Sequence, residues 1–500
     1  MLFNSYAFLL GFFPVTFCVF FLLGRRSHEW AAAWLGLASL FFYGYWSVAA
    51  LPLLVGSICV NYWFGLRLTP RAGVTDTARR RRLLAALIVN LAVLGYFKYV
   101  NFFIDNANLA LQAAASPPLR VLNVVLPIGI SFFTFTQIAF LVDCYEGKVR
   151  ERKFIHYLLF VSYFPHLISG PVLHHSQMMP QFRHAETYRL QSNNLLSGLF
   201  NIAMGLAKKV VLADELSQYA SPIFDAARDG HEVGFLVAWT AALAYTLQIY
   251  FDFSGYTDMA IGLSRMLGIQ LPLNFNAPYK ATSIIEFWRR WHISLSKFLR
   301  DYLYVRLGGN RHGAPRRYAN LMLTMLLGGL WHGASWTFVV WGGLHGLYLL
   351  VNHAWRALVP RAEHANRMMI ALGRGAGRAL TFLAVVIAWV FFRSSTFEGA
   401  ARILRGMAGT WPGDCGLECY RRLLGSFAIP PATLTHLGVL FLAGFVIIWT
   451  VPTSQALTQT IDRVRGAALW VMAGALLFCI ALLAIINASH RSSEFIYFNF

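Results

Sequence analysis

The chain is 500 residues long, 57% hydrophobic and only 13% charged, with a mean hydropathy of +0.53. That composition excludes a soluble globular protein. The excess of 42 Lys and Arg over 22 Asp and Glu, a net charge of +20, reads as membrane-topology and headgroup signals; no basic groove with interleaved aromatics accompanies it, so nucleic acid is set aside.

Uncharged or nearly uncharged stretches of spanning length recur at 6–23, 30–46, 51–66, 83–97, 233–251, 336–355, 379–392, 433–451 and 469–487. A hydrocarbon core of roughly 30 Å takes about 20 helical residues, so roughly nine to twelve spans are expected. Runs this long satisfy their backbone in lipid only as helices, so the fold class is all-α and polytopic, with interfacial and re-entrant helices besides; a β-barrel would show short alternating segments. The first run lacks the basic start and small-residue cleavage site of a signal peptide and is expected to stay as a span. Arg25 and Arg26 follow it, the cluster Arg67 to Arg82 comes two spans later, and the linker between carries no charge. The positive-inside rule then places the N-terminus outside and both basic loops in the cytoplasm. With no repeat, linker or long polar segment, one integral-membrane domain, 1–500, is the simplest organisation.

Polar groups interrupt this pattern at a few places. Cys18, Cys59 and Cys479 lie in apolar runs and Cys144 beside a basic loop, while for Cys415 and Cys419 a loop disulfide and a weak metal pair are equally open. His166 in FPHLISGPV reads as a turn between spans. His174 and His175 lack ligand spacing and no H-E-x-x-H occurs, so no metal site is expected. In YFDFSGYTDM, Asp252 and Asp258 flank Ser254 at the end of an uncharged run; paired carboxylates there could carry protons or cations, and capping at a membrane face is an equal alternative.

Ser283 to Glu286 fits a capping box and so predicts a helix start. Successive 100° steps put Phe287, Trp288, Trp291, Leu295, Phe298 and Leu299 on an arc of about 120°, with Arg289, Arg290, Lys297 and Arg300 opposite. Such a helix lies in the cytoplasmic headgroup layer, with His292 at the edge of its apolar arc.

The stretch GGLWHGASW puts His332 inside the 32-residue run Ala319 to Leu350, which has no Asp, Glu, Lys or Arg. Basic residues flank the run at both ends, so an even number of crossings is required. Trp336 to Trp355 uses a full span, which leaves Ala319 to Trp331, about 20 Å of helix, as a short arm. The glycine-rich turn then falls partway through the membrane, where non-helical backbone must line a cavity or be buried in protein. His332 either packs two short helices together or moves a proton near neutral pH; the break and its three glycines favour the second. No Walker A loop, G-x-S-x-G elbow, D-x-D or H-x-x-x-x-D acyltransferase motif is present.

The stretches YFDFSGYTDMAIG, EFWRRWHISLSKFLRDYLYVRLGGNR and TMLLGGLWHGASWTFVVWGGLHG, with FFPVTF, YFKYVNFF, LPIGISFFTF and FPHLISGPV before them, closely resemble the bacterial branch of the membrane-bound O-acyltransferase family, alginate O-acetyltransferase type. The likeness covers 1–395 and is looser over 396–500. It implies a multi-helix enzyme that moves an acetyl group from a cytoplasmic thioester across the cytoplasmic membrane toward an exported polysaccharide, alginate first. His332 would correspond to the family's essential histidine and His292 to its second polar residue. His332 would act as general base, and His292 would orient the donor or polarise its carbonyl. Arg289, Arg290, Trp291, Lys297 and Arg300, with Asp252, Ser254 and Asp258, are the candidate substrate-binding residues, the cations attracting acetyl-CoA or an acyl-carrier thioester. No bound cofactor is implied. Membrane lipid and a periplasmic acetyltransferase partner are. The terminal SSEFIYFNF looks similar to the acyl-carrying tail of a small partner in the related D-alanylation system, so Tyr497 is either a covalent relay or an interfacial anchor. Peptidoglycan, cellulose and teichoic acid are alternative acceptors, and a polysaccharide export transporter is the rival of another class.

Overall fold

The computed structural model describes residues 1–70, 73–359, 366–410, 434–489 and 495–496. Cys415, Cys419 and Tyr497 lie outside these. The described residues form helices and connecting turns with no strand. They run α1 (Ala7–Gly24), α2 (His28–Trp46), α3 (Leu51–Leu68), α4 (Asp76–Ala113), α5 (Ile130–Tyr145), α6 (Phe154–Ser162), α7 (Ser192–Arg228), α8 (Phe235–Met266), α9 (Ile284–Arg290), α10 (Ile293–Phe298), α11 (Gly313–His332), α12 (Trp336–Leu358), α13 (Arg367–Arg393), α14 (Phe397–Met407), α15 (Leu434–Trp449), α16 (Ser454–Ile461) and α17 (Ala467–Ser489). Side-chain oxygens start many of them. Ser27, Thr75, Ser335, Asn366, Thr396 and Thr453 each accept from a backbone N–H of the first turn, which the helix itself leaves unpaired.

Among the described residues, six helices are long and apolar enough to cross a membrane, or seven if α15 and α16, bent by 68°, count as one. This is fewer than the composition suggests. Four more helices of spanning length, α2, α8, α11 and α12, fall outside that set; α8 is buried along nearly its whole length and carries Asp252, Asp258 and Arg265. Its surroundings are protein rather than lipid, so it need not be uniformly apolar. α7 crosses it at two glycine pairs, where a Cβ on Gly255 would stand 2.8 Å from the Gly205 carbonyl oxygen and one on Gly198 2.8 Å from that of Gly262. Small residues here let the backbones touch.

Three further expectations are corrected. The arm before GGLWHG is not short: α11 begins at Gly313 and its 20 residues extend about 30 Å, because the helix continues back through Arg316 and Arg317 toward the interface. The helix from Ser283 is not continuous; it breaks at Trp291 and His292 and resumes as α10. Ser283 Oγ does accept from the Glu286 N–H (3.3 Å), but the Glu286 carboxylate returns to the N–H and hydroxyl of Thr282 (2.8 and 2.9 Å), one residue earlier than a capping box requires. His166, expected in a turn between spans, sits in the short buried helical turn Phe164–Leu167, its Nε2 2.9 Å from the Phe160 carbonyl.

The buried apolar side chains fall into an N-terminal cluster around Phe3, Phe42, Tyr163 and Tyr256 and a C-terminal one around Trp291, Trp341 and Trp389. A third, smaller cluster of Phe132, Leu295, Phe298 and Trp331 joins α5, α10 and α11.

Candidate active site

His332 is the last residue of α11 and only 2% exposed. Gly333 is extended, and Ser335 caps α12, so the chain reverses within three residues. The imidazole is walled by Trp331, Trp341 and Phe392, with ring centroids 4.9, 5.0 and 5.1 Å away. A helix end strands its last carbonyls. Here α4 supplies the donors: Tyr99 Oη donates to the Leu330 carbonyl (2.9 Å), and the buried Lys98 Nζ donates to the Trp331 carbonyl and to Ser131 Oγ (3.0 Å). Both residues belong to a π-turn, Gly95–Tyr99, which displaces the side chains from regular helical register.

His292 occupies the break between α9 and α10 in the left-handed region, φ +42°. It is 1% exposed. Its Nδ1 lies 3.1 Å from Asn274 Oδ1, which also receives the Ser294 N–H (3.2 Å) and hydroxyl (2.8 Å). The backbone N–H can only donate, so that atom of Asn274 is the oxygen, and Nδ1 carries the proton. In this tautomer Nε2 presents a lone pair. Trp331 packs against both histidines, its ring 6.4 Å from that of His292, and Phe253 of α8 makes a T-shaped contact with His292 at 4.8 Å.

The remaining expected residues divide. Trp291 is buried among Phe275, Phe287 and Trp389 beside His292. Arg289, Lys297 and Arg300 are exposed as the helical projection requires. Arg290 is held by Glu286 (3.0 and 2.8 Å) and Arg300 by Asp301 (2.7 and 3.1 Å). Glu286 is thereby kept below the usual carboxylate range: partial burial pushes it up, but the hydrogen bonds from Thr282 and Arg290 and the Arg290 charge outweigh that. Asp252 pairs with Lys209 (2.8 Å), and its other oxygen accepts the Ile496 N–H (2.8 Å). Asp258 pairs with Lys208 (2.6 Å) and accepts from Ser454 (2.6 Å). Ser254, between them on α8, is buried.

Two residues were missed. Lys98 announces itself only as a lone lysine in the apolar YFKYV. His345, in WGGLHG, is fully buried within 4.8 Å of Trp341 and 5.1 Å of Trp288, so Trp341 separates it from His332 as Trp331 separates His292.

A buried histidine at a helix break, with a second histidine across one indole, is a candidate site whose two imidazoles are groups able to take and return protons. Residues 63–392 match the membrane-bound O-acyltransferase (MBOAT) family, and the chain belongs to that family and is an acyltransferase. It is 43% identical over 437 residues to the peptidoglycan O-acetyltransferase of Helicobacter pylori, covering 82% of this chain and 80% of that one. It is 40% identical to a Pseudomonas putida protein named "Probable alginate O-acetylase AlgI" across all of both chains. The teichoic acid D-alanyltransferase of Bacillus subtilis is 29% identical over 45% of this chain and 59% of its own.

Proposed function

We propose that this protein is an O-acetyltransferase of the cytoplasmic membrane, with its N-terminus outside, that takes acetyl from a cytoplasmic thioester and passes it across the membrane for O-acetylation of an exported polysaccharide. The observation that carries this is the pair His332 and His292 buried on either side of Trp331, at a helix break pinned by Lys98 and Tyr99. His332 takes the proton from the acceptor hydroxyl as its oxygen attacks the thioester carbonyl. The carbon–sulfur bond breaks, and the departing thiolate receives the proton, leaving an ester and a free thiol. His292 orients the reactants through its Nε2 lone pair; it could polarise the carbonyl only if protonated. Arg289 and Lys297 are the cations for a phosphate-bearing donor such as acetyl-CoA or an acyl-carrier protein, since Arg290 and Arg300 already serve carboxylates.

Alginate is placed first among acceptors because the relative aligned over the whole chain bears that name; peptidoglycan is second on a similar identity. A periplasmic acetyltransferase completes the transfer. Tyr497 is the covalent relay in this reading, supported by the docking of Phe495 against Tyr256 (5.0 Å) and of Ile496 on Asp252. Acyl-tyrosine in the terminal peptide of trapped, active enzyme supports the relay; its absence returns Tyr497 to anchoring.

The test is the acetyl content of the exported polysaccharide in cells carrying wild type or His332→Ala at matched membrane levels. Loss of acetyl with polymer yield preserved supports the assignment. Unchanged acetylation makes His332 a packing residue, and lost export points to a transporter.

A further inference from the structure

Away from the two histidines, a second polar cluster forms where α5, the loop after SGPV and the π-turn Leu299–Tyr304 meet. Asp143, in the last turn of α5, is 2% exposed. Its Oδ2 lies 3.0 Å from His174 Nε2, 2.9 Å from His175 Nε2 and 2.6 Å from Tyr302 Oη. His174 Nε2 also contacts Tyr302 Oη directly. We infer that Asp143, His174 and His175 bind a divalent transition-metal ion, Zn²⁺ the best match, with the Tyr302 hydroxyl in the fourth position.

Three features support this. One ligand atom from each of Asp143, His174 and His175 lies within 4.8 Å of the others. Tetrahedral zinc with bonds of about 2.0–2.1 Å needs ligand atoms about 3.3 Å apart, so the separations of 2.9 and 3.0 Å from Asp143 to the two imidazoles need only small outward shifts. Next, three groups crowd onto one carboxylate oxygen, more than its two lone pairs accommodate as hydrogen bonds; a shared cation turns that crowding into coordination. Last, among the described residues the ion-pair partners of this buried carboxylate are the two imidazoles, without Lys or Arg. A buried carboxylate needs a cation, and one carboxylate with two neutral imidazoles is a donor set that suits zinc.

The outer contacts fix the proton. His174 Nδ1 accepts the Ser176 N–H (3.4 Å) and lies 2.6 Å from Ser176 Oγ, so without an ion Nε2 carries the proton toward Asp143, and a bound metal ion would take that proton's place. A cleft of about 100 Å³ lined by His174, Gln177, Lys297 and Tyr302 opens beside the cluster. Sequence spacing hides the site, since His175 and Asp143 are 32 positions apart and His174 and Tyr302 are 128 apart. The ion would clasp the SGPV loop to the π-turn. The same loop donates the Val172 N–H to Ser294 Oγ (2.9 Å), which bonds the Asn274 oxygen that holds His292.

The experiment uses full-length protein without a polyhistidine tag, purified in detergent without chelator. Elemental analysis should find about one transition-metal ion per chain, falling at least about tenfold in Asp143→Asn and in the half-exposed His174→Ala. After chelator stripping, Zn²⁺ should raise the thermal midpoint of wild type and not of His174→Ala. Background content of every first-row metal with no Zn²⁺-induced shift overturns the site. Metal retained equally by both variants does too. Neither readout depends on acyl transfer, so the site can fail while the proposed function stands, and the reverse.

Discussion

The Lys98 Nζ donates to the main-chain carbonyl of Trp331, 233 positions away, and so ties the π-turn of α4 to the residue before His332. The contact places a donor where α11 runs out of its own. Replacing it with Lys98→Met leaves that buried carbonyl unsatisfied, a cost of about 1–3 kcal/mol. The expected result is a lowered thermal midpoint together with acetyl transfer reduced about tenfold or more, since about 1.4 kcal/mol of misplacement is a decade in rate. Full transfer activity in a folded Lys98→Met protein would show that the break holds His332 without it.

General-base catalysis contributes about 10²–10⁴-fold. His332→Ala is therefore expected to lose acetyl transfer by that order when compared at matched membrane abundance. His292→Ala should lose less if its part is orientation. Thioester turnover by purified protein checks both, and equal, negligible losses would remove the pair from the mechanism.

Glu286 gives the interfacial helix α9 an acid limit. Its carboxyl is held below the ordinary range when folded, so the stability it adds is fully present above its unfolded value of about 4.3 and is lost as pH falls toward the folded one. Thermal midpoints measured from neutral pH downward should decline through that window in wild type and less steeply in Glu286→Gln. Parallel curves would refute the linkage.

α11 and α12 touch at Gly329 and Gly342, where a Cβ on Gly342 would collide with the Met325 carbonyl oxygen. Gly342→Ala is expected to cost about 1–3 kcal/mol and to shift the hairpin that carries His332. The neighbouring Gly343→Ala meets only Leu326 Cδ2, at an ordinary 3.4 Å, and should be close to neutral. Unfolding of the two variants in detergent, compared side by side, reads the difference.

Much of the fold was legible because lipid imposes a crude rule, and runs such as 30–46, 336–355 and 469–487 became α2, α12 and α17 within a few residues. The same rule misjudged α11, whose first turns carry Arg316 and Arg317, and α5, whose 16 residues bury Gln137 and Asp143. Polar residues on a helix lower its apparent hydropathy whether they face lipid, solvent or another helix. Composition cannot tell these apart.

His332 was recognisable by the glycine-rich break in an uncharged run, and His292 by the RRWHISLS motif on which the resemblance rests, both of them properties of short segments. That they share Trp331, that Asn274 chooses the His292 tautomer, that Lys98 closes the helix end, and that Asp143 meets His174, His175 and Tyr302 were decided only by the tertiary structure. Each of these joins segments far apart in the chain. Hydrophobic period reports which face of a helix is buried, whereas the partner that face meets depends on how all the helices pack at once.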